Sequence, residues 1–353
     1  MIMQIHQILP TLSQGDAIGN EVRLMQSLFR EWGYTSHIFA ENIHPETTAF
    51  YVKKYEKYSH KDNILVYHYS IGSDITEFFK TLPDKKILIY HNITPPEYFV
   101  GINEGLFKLL KDGRDSLPSL VPFIKLAIGD SEYNRQELEK MGFSRTAVLP
   151  ILIDFDTYHR FNTSIVQKYK DDYVNILFVG RISPNKKQEN ILKIFYYYKS
   201  INPKSRLFLV GGFNGCERYL NQLRDIVKKL QLSDVVFTGP VPFEDLISYY
   251  KIADIFLCMS EHEGFCIPLV ESMFFNIPII AYNSTAVPYT LKNSGILVNE
   301  KQYDEIAELI NFITEDNNLK RKIIEQQKER LKTFQFDEIK NKLKIILNEV
   351  ISN

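Results

Sequence analysis

Cysteine, tryptophan and a surplus of charge of either sign are all scarce in this 353-residue chain. Its three cysteines, Cys216, Cys258 and Cys266, are odd in number and lack metal-type spacing, so neither a disulfide framework nor a zinc site is indicated. A formal net charge of −1 lacks the basic footprint of a non-specific nucleic-acid binder, and no nucleic-acid partner is expected. No apolar run approaches the roughly 20 residues needed to span a bilayer. The opening Met1-Ile2-Met3-Gln4-Ile5-His6 has no basic stretch followed by a signal-type apolar stretch, so a cytoplasmic protein is expected. Low-complexity segments and heptad arrays are also missing.

What remains is ordinary globular composition, 44% hydrophobic and 24% charged. At roughly 100–200 residues per domain the length suggests two domains, each able to bury a core. The 21 Tyr and 24 Phe supply core material and decide nothing alone; Trp32 is the one tryptophan.

Short apolar segments alternate with helical patterns. Ile2–Leu9 reads as a strand, followed by a glycine-containing turn at Gly15–Asn20 and a helix over Glu21–Trp32. His37–Ala40, Ile64–Tyr67, Lys86–Tyr90 and Leu126–Gly129 read as further strands, short and apolar as in a parallel sheet covered on both faces. The pattern then restarts with strands at Val174–Val179, Arg206–Val210, Val235–Thr238, Ile255–Met259 and Pro278–Ala281. Helices fall between them, and a last helical region runs from about Asp304 to the end, interrupted near Thr333–Phe336. Alternation of this kind predicts βαβ units and doubly wound sheets. The join falls around Pro150–Asp172. Ligands of such sheets bind beyond the carboxyl ends of the strands, and two such domains would hold one between them.

Two segments carry chemistry. In Glu263-Gly264-Phe265-Cys266-Ile267-Pro268-Leu269-Val270-Glu271 a strand leads into a helix. Pro268 suits the first helical turn, whose free N–H groups attract anions. Glu263 sits on the loop and Glu271 about one turn inside the helix, so the two carboxylates can serve one ligand differently. The same pattern also suits a plain helix start whose acid favours the dipole. In Val179-Gly180-Arg181-Ile182-Ser183-Pro184-Asn185-Lys186-Lys187 a strand delivers Arg181 at its end, with Lys186 before the next helix. Arginine gives bidentate oxyanion contacts and lysine a point charge, a pairing that fits a diphosphate. Lys187 reads as part of a solvated basic loop. His91, after an apolar strand and before Pro95-Pro96, is placed at a ligand edge; His68 and His262 are weaker candidates.

These segments, with Gly239-Pro240-Val241, Asn276-Ile277-Pro278-Ile279-Ile280-Ala281, Gly15–Asn20 and Tyr90-His91-Asn92-Ile93-Thr94-Pro95, resemble glycosyltransferase family four. The resemblance covers most of the chain. It implies an α/β fold of GT-B architecture, two facing Rossmann-like domains with a cleft between them. Residues 1–155 would be the acceptor-binding domain, 156–335 the nucleotide-sugar domain, and 336–353 a helix packing back on the first. By position, Arg181 and Lys186 match the residues holding the donor diphosphate, Glu271 the acid on the ribose, and Glu263 the acid beside the donor sugar. Gly264 and the N–H groups of Phe265 and Cys266 would face the sugar and phosphates, and Val241 the base. Gly15 matches the glycine beside the phosphate, and His91 a histidine near the sugar. Cys266 departs from the pattern, standing where glycine is common. Asp16 does too, and with Asn20 it is either an acceptor-side residue or a turn cap.

The reaction implied is retaining transfer of a hexose from a UDP- or GDP-type donor to a glycan or lipid-linked oligosaccharide, as in polysaccharide or lipopolysaccharide assembly. No cofactor or metal is expected: Arg181, Lys186 and helix N–H groups would meet the growing diphosphate charge. Asp154-Phe155-Asp156 has the spacing of a metal-binding pair but sits at the domain junction. Leu106–Leu126, with Lys108, Lys111, Arg114 and Lys125, could form an amphipathic helix meeting the inner membrane face; a solvated helix face is the plainer alternative. A sugar-nucleotide epimerase, a storage-glucan or disaccharide synthase, or a non-catalytic binding module would share the fold.

Overall fold

The computed structural model describes residues 3–13 and 15–352. They divide into two compact units. Unit 1 takes the described residues of Met1–Glu97, Gly105–Ile153 and Gln335–Asn353, and unit 2 takes Tyr98–Glu104 and Asp154–Phe334.

Unit 1 is built on a seven-stranded sheet: β1 (Ile5–Leu12), β2 (Ile38–Ile43), β3 (Phe50–Tyr51), β4 (Ile64–Tyr69), β5 (Lys85–Tyr90), β6 (Leu126–Gly129) and β7 (Thr146–Val148). Its order is β3-β2-β1-β4-β5-β6-β7, and every neighbouring pair is parallel. β4 is buried along its whole length, as a central strand covered on both faces must be. Ile5, Met25, Phe29, Ile64, Val66 and Ile87 share one core with Ile339, Leu343, Leu347 and Val350 of the last helix, Phe336–Ile351. That helix therefore belongs to the first sheet, although it follows the whole of the second in sequence.

Unit 2 carries β8 (Val174–Val179), β9 (Ser205–Val210), β10 (Val235–Gly239), β11 (Ile255–Cys258), β12 (Ile279–Tyr282) and β13 (Ile296–Val298). The order is β10-β9-β8-β11-β12-β13, again all parallel. In both sheets the winding reverses once, between β1 and β4 and between β8 and β11. Loops leaving the strands at such a reversal run to opposite sides, and in open α/β sheets ligands bind there, beyond the carboxyl ends.

The expected strands and helices are present, with several corrections. The first strand was expected from Ile2, which lies outside the described residues, and it continues to Leu12 rather than Leu9. The first helix starts at Ala17, not Glu21, because Asp16 caps it by accepting from the Gly19 N–H at 3.2 Å. No long helix covers Leu106–Leu126: the helix Glu104–Ser116 stops before a 3-10 stretch over Leu117–Phe123 that contains Pro118 and Pro122, and Leu126 already belongs to β6. The C-terminal helical region breaks at Asp316 as well as near Thr333, and its expected end at Asn353 lies outside the described residues. No helix is long and apolar enough to cross a membrane among the described residues.

Candidate functional site

In unit 2 the two chemistry-bearing segments leave the strands that flank the winding reversal. After β8 the chain passes through Gly180 and Arg181. Gly211, after β9, approaches so closely that a Cβ there would stand 2.1 Å from the Gly180 carbonyl oxygen. Its φ of 145° also suits glycine. This packing fixes the loop that presents Arg181, which is exposed and whose guanidinium donates to the Asn214 carbonyl at 2.6 Å. A 3-10 turn over Pro184–Lys186 then delivers Lys186.

Lys186 Nζ meets Glu263 Oε2 at 2.5 Å. Burial works against the lysine charge, but Glu263 outweighs it and holds the ammonium above its usual range. Glu263 is itself tied down: its N–H donates to Thr285 Oγ1 at 2.9 Å, and its side chain is buried. Phe265 is buried, and its carbonyl accepts from Thr290 Oγ1 at 2.6 Å. Cys266 precedes the helix Ile267–Phe274 in a left-handed conformation, φ 67° and ψ 68°. At the start of that helix Pro268 carries no N–H and the Leu269 N–H donates to the Cys266 carbonyl at 3.0 Å; the remaining N–H groups of such a helix start attract anions. Val241 lies between β10 and the helix Phe243–Ile252.

Glu271 is one turn into the helix and buried. Its two oxygens accept from Tyr158 at 2.7 Å and Tyr250 at 2.5 Å. Burial raises its carboxyl above the usual range, while the two tyrosines pull it back down. Neither tyrosine was singled out in the sequence: Tyr158 comes from the stretch entering unit 2, Tyr250 from a helix face that otherwise reads as core. Lys187, expected to be solvated, is ion-paired with Glu261 at 3.3 Å and Glu189 at 3.7 Å. Glu261 also accepts from Tyr98 at 3.3 Å, and Asn103 donates to the Gly215 carbonyl at 2.9 Å, so 98–104 groups with unit 2 despite its place in the chain. His262 is buried beside the site, its carbonyl accepting from Asn185 at 3.1 Å.

In unit 1, Gly15 takes a positive φ of 72° in an exposed turn after β1. Gly19 packs against that turn, a Cβ there falling 2.6 Å from the Ser13 carbonyl oxygen. Asp16 is the helix cap described above, and Asn20 accepts from Arg23 at 2.7 Å. His91 does not lie at an open edge; its side chain is 3% exposed and both ring nitrogens are engaged. Nδ1 is 3.0 Å from Asp130 and 3.8 Å from Glu21, and Nε2 is 2.9 Å from His68 Nδ1. His68 Nε2 is 3.0 Å from Gln7 Oε1, and Gln7 donates to the Val22 carbonyl at 2.9 Å.

The protons in this chain can be assigned. Burial opposes charge on His91, yet Asp130 and then Glu21 raise it to about 9, so it is an imidazolium donating from both nitrogens. His68, driven well below its usual range by burial and then by His91, is neutral; it accepts at Nδ1 and donates from Nε2 to Gln7. Glu21 is raised to about 8, by burial first. Glu21 and Asp130 each keep one buried oxygen without a protein partner.

Two clusters among the described residues have the makeup of metal ligands: Glu21, His68 and His91 in unit 1, and Cys258, Glu263 and Cys266 in unit 2. In the second, a thiol–thiol hydrogen bond lowers Cys258 and raises Cys266. Asp154 and Asp156 do not form a comparable cluster; the Asp154 carboxylate accepts from the Asp156 N–H at 3.1 Å and closes a 3-10 turn.

Comparison with known proteins places this arrangement. Residues 161–330 match the family described as glycosyl transferases group 1. The O-antigen chain mannosyltransferase B of Escherichia coli is 23% identical over 290 residues, 78% of this chain and 70% of that protein. The mannosylfructose-phosphate synthase of Agrobacterium fabrum (strain C58) is 32% identical over 154 residues, 40% of this chain but 34% of that enzyme. An uncharacterised 41.2 kDa protein of a Klebsiella pneumoniae cps region is 28% identical over 155 residues, again only 39% of its length. Sucrose-phosphate synthase from Thermosynechococcus elongatus superposes with a TM-score of 0.78 at 15% identity, over 99% of both chains. Anabaena HepE, solved with UDP and glucose, gives 0.77 at 17% identity, over 98% of this chain and all of that one. At such identities the likeness establishes the fold: two Rossmann-like α/β units with parallel sheets, as in GT-B glycosyltransferase structures.

Proposed function

We propose that this protein is a nucleotide-sugar-dependent glycosyltransferase that moves a hexose from a UDP- or GDP-hexose to a hydroxyl of a glycan or lipid-linked oligosaccharide. The observation that carries the reading is the Lys186–Glu263 pair at the winding reversal of the second sheet, with Arg181 exposed on the loop that also carries Lys186. In this reading Arg181, Lys186 and the first-turn N–H groups near Cys266 take the donor diphosphate. They stabilise its charge most as the glycosidic bond breaks, when that charge is greatest, so no cofactor or metal enters the transfer.

Glu263 holds Lys186 and presents its remaining lone pairs to the sugar hydroxyls. Glu271, fixed by Tyr158 and Tyr250, takes the ribose. Val241 meets the base. Retention follows in this reading from attack on the same face as the departing diphosphate, whose oxygen accepts the acceptor proton. Unit 1 binds the acceptor near Gly15, Asp16, Asn20 and the polar chain around His91. The relative named as an O-antigen chain mannosyltransferase supports a polysaccharide or lipopolysaccharide role, which in this reading is carried out on the cytoplasmic side of a membrane. Lys108 and Lys125 are exposed, as are Leu109 and Phe123, and would meet anionic headgroups; Lys111 is paired with Asp115, and Arg114 donates to the Ile93 carbonyl at 2.6 Å and pairs with Glu137 at 3.2 Å.

A thermal-shift screen against UDP, GDP, ADP, CMP and dTDP without divalent metal tests the reading. A diphosphate at 100 times its dissociation constant stabilises by about 2.7 kcal/mol. The expected result is a shift with one diphosphate that is lost in Arg181→Ala. A shift with none, or only with Mg²⁺ or Mn²⁺, overturns the metal-free donor site. An epimerase would instead act on the nucleotide sugar without releasing diphosphate to an acceptor, and a binding module would show the shift without turnover.

A further inference from the structure

Cys258 closes β11, and Cys266 stands immediately before the helix Ile267–Phe274. Both thiols are buried, as is Glu263 on the loop between them. One sulfur from each cysteine and one Glu263 carboxylate oxygen lie within 4.8 Å of one another. In a tetrahedral zinc site, with sulfur about 2.3 Å and oxygen about 2.0–2.2 Å from the metal, ligand atoms stand roughly 3.5 Å apart. Reaching that spacing requires the side chains to contract, Glu263 to turn from Lys186, which holds its Oε2 at 2.5 Å, and Cys258 to give up its hydrogen bond to Ser260 at 3.3 Å. The third cysteine, Cys216, is in neither metal-type cluster among the described residues.

The backbone adds a second observation. Cys266 adopts φ 67° and ψ 68°. Glycine takes this conformation freely, whereas a side chain there is strained by about 1–2 kcal/mol. Cys266 is one of eight non-glycine residues with positive φ among the described residues, and the one whose side chain sets a second thiol beside Cys258 and Glu263. Strain kept at a site asks for a role for the group that causes it.

We propose that Cys258, Cys266 and Glu263 form a binding site for a thiophilic divalent cation, of the class of Zn²⁺ or Cd²⁺, with a fourth coordination position left open. Two thiolates select a soft or borderline ion over Mg²⁺, which takes oxygen ligands. Binding replaces the two thiol protons, which leave to solvent, by two metal–sulfur bonds, and the Glu263 oxygen supplies the third. The charge balance suits the surroundings. A dication with two thiolates and one carboxylate carries −1, the charge Glu263 alone presents to Lys186 now. The lysine therefore keeps a compensating neighbour in both states, and Glu263 turns from Lys186 toward the ion.

The test is titration of the full chain, kept reduced with a phosphine, with Cd²⁺ alone, reading the ultraviolet thiolate-to-cadmium charge-transfer band. The expected result is a band saturating at one equivalent in the wild type and in Cys216→Ser, and its loss in Cys258→Ser and in Cys266→Gly. The glycine variant relieves the left-handed backbone, so loss of the band there is loss of a ligand rather than of the fold, and a melting curve checks this. A wild type without the band, or a band that survives in the Cys258→Ser, Cys266→Gly double variant, overturns the proposal. Glu263 and Cys266 also belong to the proposed donor site, but the cadmium band reads ion binding by the thiolates alone, and the metal-free thermal-shift screen reads nucleotide binding separately.

Discussion

Lys186 Nζ and Glu263 Oε2, 77 residues apart in sequence, meet at 2.5 Å between the loops that leave β8 and β11. The pair joins the two halves of the second sheet where its winding reverses. Each partner compensates the other inside a largely dry environment, and that mutual need makes the contact measurable. Lys186→Met and Glu263→Gln each strand one charge and are expected to cost roughly 1–3 kcal/mol in urea unfolding. The double variant is expected to cost less than the sum, because it removes both charges together. Strict additivity would show that the pair contributes nothing.

Glu271 depends on two hydroxyl groups supplied from elsewhere in unit 2. Tyr158→Phe and Tyr250→Phe each remove a hydrogen bond to a buried carboxylate, with an expected cost of about 1.5–3 kcal/mol. Since both tyrosines favour the ionised acid, each variant also moves the Glu271 carboxyl further above its usual range. Unfolding measurements at several pH values read both effects. A Tyr→Phe variant as stable as the wild type at neutral pH would mean the bond is not formed.

The polar chain of unit 1 predicts a pH dependence. Glu21 moves from an ordinary 4.5 to about 8 on folding, so its contribution is complete below 4.5 and is lost as pH rises through 8. His91 moves from 6.5 to about 9, so its contribution is complete below 6.5 and lost as pH rises through 9. Both act in one direction, and the melting temperature is expected to fall between pH 4.5 and 9. Glu21→Gln flattens the part of the slope between 4.5 and 8. Asp130→Asn, which removes the largest group holding His91 charged, flattens the part between 6.5 and 9. A wild-type profile rising across this interval would contradict the proton assignment.

Gly211→Ala tests the close approach under Arg181. Its Cβ would collide with the Gly180 carbonyl oxygen at 2.1 Å, a backbone atom that cannot swing aside as a side chain would. The expected cost is roughly 1–3 kcal/mol from a forced, unfavourable backbone. Displacement of the Arg181 loop should accompany it, seen as loss of the diphosphate-induced thermal shift. A variant that melts and binds as the wild type would show that the loop has room to move.

The two sheets were readable in the sequence because their central strands are buried on both faces and stand out as short apolar runs. β3, β7 and β13 were not, since edge strands of two or three residues carry too few apolar positions to form a pattern. The helix expected over Leu106–Leu126 failed at its prolines, a local signal outweighed by amphipathic spacing. At the site, Arg181, Lys186, Glu263 and Glu271 stand in contiguous motifs. Tyr158, Tyr250, Asp130 and Glu21 do not, because each reaches its partner only through the packing of distant segments.

The sequence by itself determined the alternation of strand and helix, the two-part organisation and the position of the charged residues at strand ends. These depend on local periodicity and on residue type, which a linear chain displays directly. Only the tertiary structure decided which charges meet, that His91 is enclosed with His68 and Asp130, and that Cys258 and Cys266 lie close to Glu263. The reason is physical. Desolvation and hydrogen-bond geometry act over a few ångströms in space, and the winding of a parallel sheet brings together residues that the chain holds far apart.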